Sequence, residues 1–196
     1  MNTFVQMLLT ALLAVSTENI LFAGGIGFSR VLRAGRRPKM LGMYSAFVTV
    51  FTFISMAAAY FLSPLLAGSQ MLIVLRPALL AFCSAAAYLI AAFVLKTFST
   101  QFYRKYGQIL APAAMNTVVL SMPYVLKSLK LALPDALGFA LGTGAAFFLA
   151  ALVFSHTPEI CRNPDMPKAF SGLPAVLIYV GILSMAFAGF TGGKLF

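Results

Sequence analysis

Acid is nearly absent from this sequence: its 196 residues include four Asp and Glu against fourteen Lys and Arg, with one histidine and two cysteines. So small a stock of ionisable groups offers no paired carboxylates within an apolar stretch. There is also no H-E-x-x-H, no nucleophile elbow and no Gly-rich phosphate loop leading out of a strand. Self-contained catalysis is not expected, nor is binding of a soluble cofactor by this chain alone. With 9% of residues charged and 61% hydrophobic, the chain has more apolar surface than a soluble domain of this size can bury. A soluble enzyme is excluded, and an integral membrane protein is expected.

Charge-free runs recur at Leu41–Leu75, Pro77–Leu95, Tyr106–Leu126, Ala136–Ser155 and Ala169–Gly193. Each approaches or exceeds the roughly 20 residues that a helix needs to cross a bilayer. A first segment, Asn2–Phe28, is interrupted by Glu18. Six spans with short loops follow, with no room for an extramembrane domain. No Lys or Arg precedes Arg30, so the first span is read as a retained helix and the chain as mature.

The formal net charge of +10 would point to nucleic acid in a soluble protein, but its placement encodes orientation instead, and no nucleic-acid partner is implied. Basic residues follow span 1 (Arg30, Arg33, Arg36, Arg37, Lys39), span 3 (Lys96, Arg104, Lys105) and span 5 (Arg162, Lys168). The opposite side has only Arg76, Lys127, Lys130 and Lys194. The positive-inside rule then places both termini outside a bacterial-type cytoplasmic membrane.

Span 2 is expected over about Met40–Leu62, closed by Ser63-Pro64, and span 3 over about Met71–Leu95. Span 4, Tyr106–Leu126, contains Gly107, Pro112, Asn116 and Pro123 and is expected to be broken or kinked at its prolines. Span 5 begins at Pro134-Asp135 and carries Gly138, Gly142 and Gly144 for close helix approach. The loop before span 6 is expected over Pro158–Pro167.

Six spans divide into two sets of three, about 1–98 and 99–196. An odd number per set makes the second enter from the opposite side, as an inverted repeat. The first helix of each half carries a polar interruption: Glu18-Asn19 with Gly24, Gly25 and Gly27, and Asn116 with its flanking prolines. Paired interruptions of this kind point to a midplane site around Glu18, Asn19 and Asn116. Glu18, the one acidic residue inside a span, reads either as a proton or cation site or as a protonated or paired group holding the break. Asn19 and Asn116 read most simply as partners for backbone groups freed by irregular helix. Cys83 lies mid-span and Cys161 in a loop. That separates them by more than ~15 Å at the helical rise, beyond the about 7 Å a disulfide spans. His156 has no ligand partner at helical spacing, so no metal site is expected. Cys83 is expected to be a small buried hydrophobe, His156 an interfacial residue, and the nineteen Phe and ten Met lipid-facing and packing residues.

Several stretches resemble the small six-helix subunits of the Rnf ferredoxin:NAD oxidoreductase and of the sodium-pumping NADH:quinone oxidoreductase, of the RnfA/NqrE type. They are Asn19 with Gly27; Leu75-Arg76 through Ser99, Tyr103-Arg104, Gly107, Leu110 and Asn116; and Asp165, Pro167, Phe170, Gly172, Gly181, Ser184, Ala186 and Phe187 up to Gly189-Phe190-Thr191-Gly192. The resemblance implies an inverted-repeat subunit paired with a homologous RnfE/NqrD-like six-helix partner. The pair would sit in an ion-translocating electron-transport complex with flavin- and iron–sulfur-containing subunits. It further implies an iron–sulfur cluster shared by the pair. This subunit's two cysteines would lie two residues after the glycine matching Gly27 and directly after the asparagine matching Asn116. Those positions are Ser29 and Thr117 here, whose oxygens replace thiolates poorly, and Cys83 and Cys161 stand elsewhere. The family's acidic residue late in span 3 falls at Ala92, while Glu18 stands where asparagine is usual. The favoured reading is a complex subunit supplying scaffold and ion path without its share of cluster ligands. The others are a stand-alone, cluster-free transporter using the Glu18, Asn19 and Asn116 site, and a purely structural membrane anchor.

Overall fold

A computed structural model describes residues 3–35, 38–65, 70–160, 167 and 169–190, and these are helical with irregular connections. The helices are α1 (Thr3–Val15), α2 (Phe28–Gly35), α3 (Pro38–Leu65), α4 (Gln70–Phe98), α5 (Thr100–Ala114), α6 (Thr117–Leu129), α7 (Leu133–Ile160) and α8 (Leu173–Phe190). Among the described residues, four segments are long and apolar enough to cross a membrane: Pro38–Leu62, Ala81–Phe98, Thr100–Leu129 and Leu133–His156. The shorter Thr3–Val15 and Leu173–Gly189 complete six apolar segments.

Sequence boundaries shift where helices run on past expected stops. The helix of span 2 continues through Ser63-Pro64 to Leu65, because a proline in the final turn forfeits a single backbone bond. Span 3 reaches Phe98, and Ser99 alone separates it from α5, so the basic stretch expected as a loop is helical. The good helix formers Gln101, Arg104 and Lys105 allow this. α7 likewise extends to Ile160, past the expected loop start at Pro158. Cys161, Asp165 and Thr191-Gly192 lie outside the described residues.

Helix α3 and helix α7 form the centre. They run antiparallel: Tyr44 packs against Phe147, at 5.7 Å between ring centroids, and the Thr52 hydroxyl donates to the Ala140 carbonyl at 3.3 Å. α1 lies parallel to α7, with Met7 and Thr10 against Gly138 and Ala11 against Gly142, while Gly144 admits Thr49 of α3. α5 and α6 lie against α3 in turn, α3 running parallel to them, through Tyr44 to Pro112 and Ser55 to Val119. The pairs α1 with α7 and α5 with α3, like α2 with α7 and α6 with α3, are equivalent when the two halves exchange. Phe139, Phe147, Leu21, Met56, Leu110 and Met122 fill the core. Phe82, Phe93 and Met185, each about 70% exposed (72%, 72% and 68%), project outward from α4 and α8.

Span 4 is broken, as expected, although the break does not fall at a proline. Pro112 and Pro123 both lie inside helices, and the interruption falls at Met115–Asn116. Pro123 has no N–H for the Val119 carbonyl one turn earlier, and the Ser55 hydroxyl donates to that oxygen at 2.8 Å. The Pro112 carbonyl loses its helical donor because Asn116 N–H turns to Ala113, and Tyr44 O–H donates to it at 3.2 Å. α3 thus repairs α5 and α6. Ser55→Ala is expected to leave the Val119 carbonyl without a partner in a buried site, costing about 1–3 kcal/mol. A lowered unfolding midpoint in detergent checks this, and an unchanged one excludes the repair.

Candidate functional site

Helix α1 stops at Val15, and the chain passes through an irregular stretch before α2 resumes at Phe28. Asn19 organises this stretch. Its Nδ2 donates to the Val15 carbonyl at 2.8 Å, while its Oδ1 accepts from Leu21 N–H at 3.1 Å and Phe22 N–H at 3.3 Å. Asn116 performs the corresponding work in the second break. It stands in extended backbone as the N-cap of α6, and its Oδ1 accepts from Val118 N–H at 3.3 Å. Both asparagines are buried. The Asn116 Nδ2 is the buried side-chain polar atom without a partner among the described residues.

The two breaks touch. Gly27 adopts φ +82°, a left-handed conformation that favours glycine, and a Cβ there would overlap the Val118 side chain and stand 3.4 Å from Asn116 Oδ1. Ser29 and Thr117 flank this contact, and both are exposed on the outer surface.

Glu18 takes no part in the capping. The Asn19 Nδ2 donates to Val15, and among the described residues no hydrogen bond joins it to Glu18. The half-buried Glu18 lines a cavity of about 320 Å³ with Ile20, Gly24, Tyr124, Ser128 and Phe139. Neither asparagine lines it. Among the described residues no ion pair reaches the carboxylate. The three residues grouped from the sequence as one midplane site therefore divide: Asn19 and Asn116 hold the packed breaks, and Glu18 faces an open cavity beside them.

The other sequence candidates have local roles. Cys83 is half-buried and lines a narrow crevice with Ser55, Ser84 and Val119. Exposed His156 has its Nδ1 3.1 Å from both Ser155 Oγ and the Leu152 carbonyl. Among the described residues no group of His, Cys, Asp or Glu is placed to hold a metal. Sequence reasoning missed the hydroxyls of Tyr44, Thr52 and Ser55. Their signal is legible in retrospect, since Tyr44, Thr52 and Ser55 recur on one face of α3.

Apolar helices, two touching breaks and a carboxyl in a cavity beside them define a polytopic helical membrane protein of the discontinuous-helix kind. A model of the Rnf-Nqr subunit membrane-protein family matches residues 7–193, and the chain belongs to that family. A Rhodobacter capsulatus protein named as a subunit of the ion-translocating oxidoreductase complex is 26% identical over 194 residues, 98% of each chain. The protein of the same name from Glaesserella parasuis is 34% identical over 94 residues, 48% of this chain and 49% of that protein. A Clostridium ljungdahlii protein named as a subunit of the proton-translocating ferredoxin:NAD(+) oxidoreductase complex is 31% identical over 110 residues, covering 53% of this chain and 57% of that one.

Proposed function

We propose that this chain is a membrane subunit of an ion-translocating oxidoreductase complex, built as an inverted repeat with halves at about 1–98 and 99–196. It works in a cytoplasmic membrane, with both termini outside, beside flavin- and iron–sulfur-containing subunits and a homologous six-helix partner. The full-length likeness to the Rhodobacter capsulatus protein supports the complex. The equivalence of α1 against α7 with α5 against α3 supports the repeat.

The chain's own contribution to ion movement is Glu18. Its carboxylate stands in a cavity walled by the first break, α6 and the start of α7, with no cation of the described residues paired to it. A carboxylate within an apolar segment is a group that can bind a translocated proton or monovalent cation. Ser128 and the Tyr124 ring line the same cavity and offer oxygen and aromatic surface to the bound species. Ser29 and Thr117 present hydroxyls rather than thiolates, so the donor set does not fit an iron–sulfur cluster and this chain contributes no cluster ligands.

Mass-spectrometric identification of polypeptides retained after mild detergent extraction from the native membrane tests the assignment. Recovery of a second six-helix subunit with flavin and iron–sulfur subunits is expected. Recovery of the chain alone would replace the complex with a stand-alone transporter. Within the intact assembly, Glu18→Gln is expected to lower ion uptake into vesicles at least about tenfold with its subunits retained. Full uptake by the variant would remove Glu18 from the ion path.

A further inference from the structure

On the side of the breaks away from Glu18, the short α2 closes a second cavity that the ion path does not use. α2 is pinned to α7 along one face. Val31 and Gly35 are buried, the Phe28 ring meets Phe154 at 5.0 Å between centroids, and a Cβ on Gly35 would stand 3.0 Å from the Phe154 carbonyl carbon. With that face fixed, Arg30 and Arg33 fall on another, toward α3 and α5. There they line a cavity of about 200 Å³ with Tyr44, Gln108, Met40 and Ile109.

Two guanidinium groups three residues apart repel each other, and both act electrostatically on the Tyr44 hydroxyl. Among the described residues neither makes an ion pair. Of the acidic side chains that the structure describes, Glu18 lines the cavity beyond the breaks, and Asp135 stands in the first turn of α7, at the opposite end of that helix from the residues that hold α2. Tyr44 O–H is committed to the Pro112 carbonyl at 3.2 Å. The donors lining the cavity are therefore the guanidinium N–H groups and the Gln108 amide, and they fit the oxygens of a single tetrahedral anion. The remaining walls are apolar: Met40, Leu41, Ile109 and Ala34. An inorganic anion gains nothing from such walls, whereas an anion carrying hydrocarbon does.

We propose that the cavity between α2, α3 and α5 binds the headgroup phosphate of an anionic phospholipid, with Arg30 and Arg33 as its phosphate ligands. This side of the protein also carries Lys39, Lys96, Arg104 and Lys105, the basic face that anionic lipids of the cytoplasmic leaflet attract. The negative charge of a bound lipid offsets half of the arginine pair's charge and holds α2 against α3, just beyond the Gly27 contact between the breaks.

Native mass spectrometry of the full assembly, delipidated and titrated with phosphatidylglycerol or phosphatidylcholine, tests this. Wild-type protein is expected to retain one more phosphatidylglycerol than phosphatidylcholine. Arg30→Gln/Arg33→Gln is expected to weaken that lipid at least about tenfold, because each lost guanidinium removes a charge-assisted pair. The single Arg33→Gln, at an exposed position, keeps the test valid if the double variant does not fold. Arg104→Gln/Lys105→Gln makes the same charge change on the same side and is expected to bind as wild type. Equal weakening by that control would mean general attraction to a basic surface and overturn the site. Displacement of the lipid by inorganic phosphate at equal affinity would overturn the lipid as its occupant, and undiminished binding by both arginine variants would overturn the proposal outright.

Discussion

Gly142→Leu is expected to expel α1 from the molecule. A Cβ at Gly142 would stand 2.7 Å from the Cα of Ala11, and the obstructing atoms belong to the α1 backbone rather than to a side chain that can swing away. Overpacking costs about 1–3 kcal/mol where side chains yield. Here the whole of α1 must move, and α7 is its principal support. The prediction is loss of most folded protein from the membrane, read as a collapsed yield of monodisperse material. Leu149→Ala, at a half-exposed position on the same helix, is expected to leave the yield unchanged. Wild-type yield from Gly142→Leu would show that α1 does not dock as described.

Asn19→Leu is expected to have the next largest effect, by a different route. The asparagine serves one carbonyl and two N–H groups at a site where it is 2% exposed. Leucine is similar in size and makes none of these bonds. Each orphaned backbone group costs about 1–3 kcal/mol when buried, so three of them cost on the order of 3–9 kcal/mol. That is a large fraction of the stability of an ordinary protein, about 5–15 kcal/mol. The readout is the thermal unfolding midpoint of the purified assembly, against Asn19→Ser, which retains one acceptor and is expected to fall between. A midpoint within a degree or so of wild type for Asn19→Leu would refute the capping role.

Much of this architecture was legible because lipid leaves few choices. Five charge-free runs and a first segment interrupted by Glu18 marked the six apolar segments, and Gly138, Gly142 and Gly144 announced close approach. The asparagines were legible for the same reason, since an amide inside an apolar segment needs partners and the backbone of a broken helix supplies them. Pro123 misled because the reading of one segment could not include a hydroxyl from another. Whether a proline breaks a helix depends on what faces the vacated carbonyl, and Ser55 lies 64 residues from Val119 along the chain. Glu18 was singled out by charge alone, but its separation from the asparagines was not legible. Adjacent residues in an irregular stretch point in directions that no helical period dictates.

The hydroxyl of Ser55 over the Val119 carbonyl also makes the two positions unequal partners. A serine facing an intact helix is tolerated, since it can bond within its own turn as Ser45 does to Leu41 at 2.9 Å. A proline at 123 without that serine strands a buried carbonyl. Ser55 is therefore dispensable in a chain without Pro123, whereas Pro123 depends on Ser55.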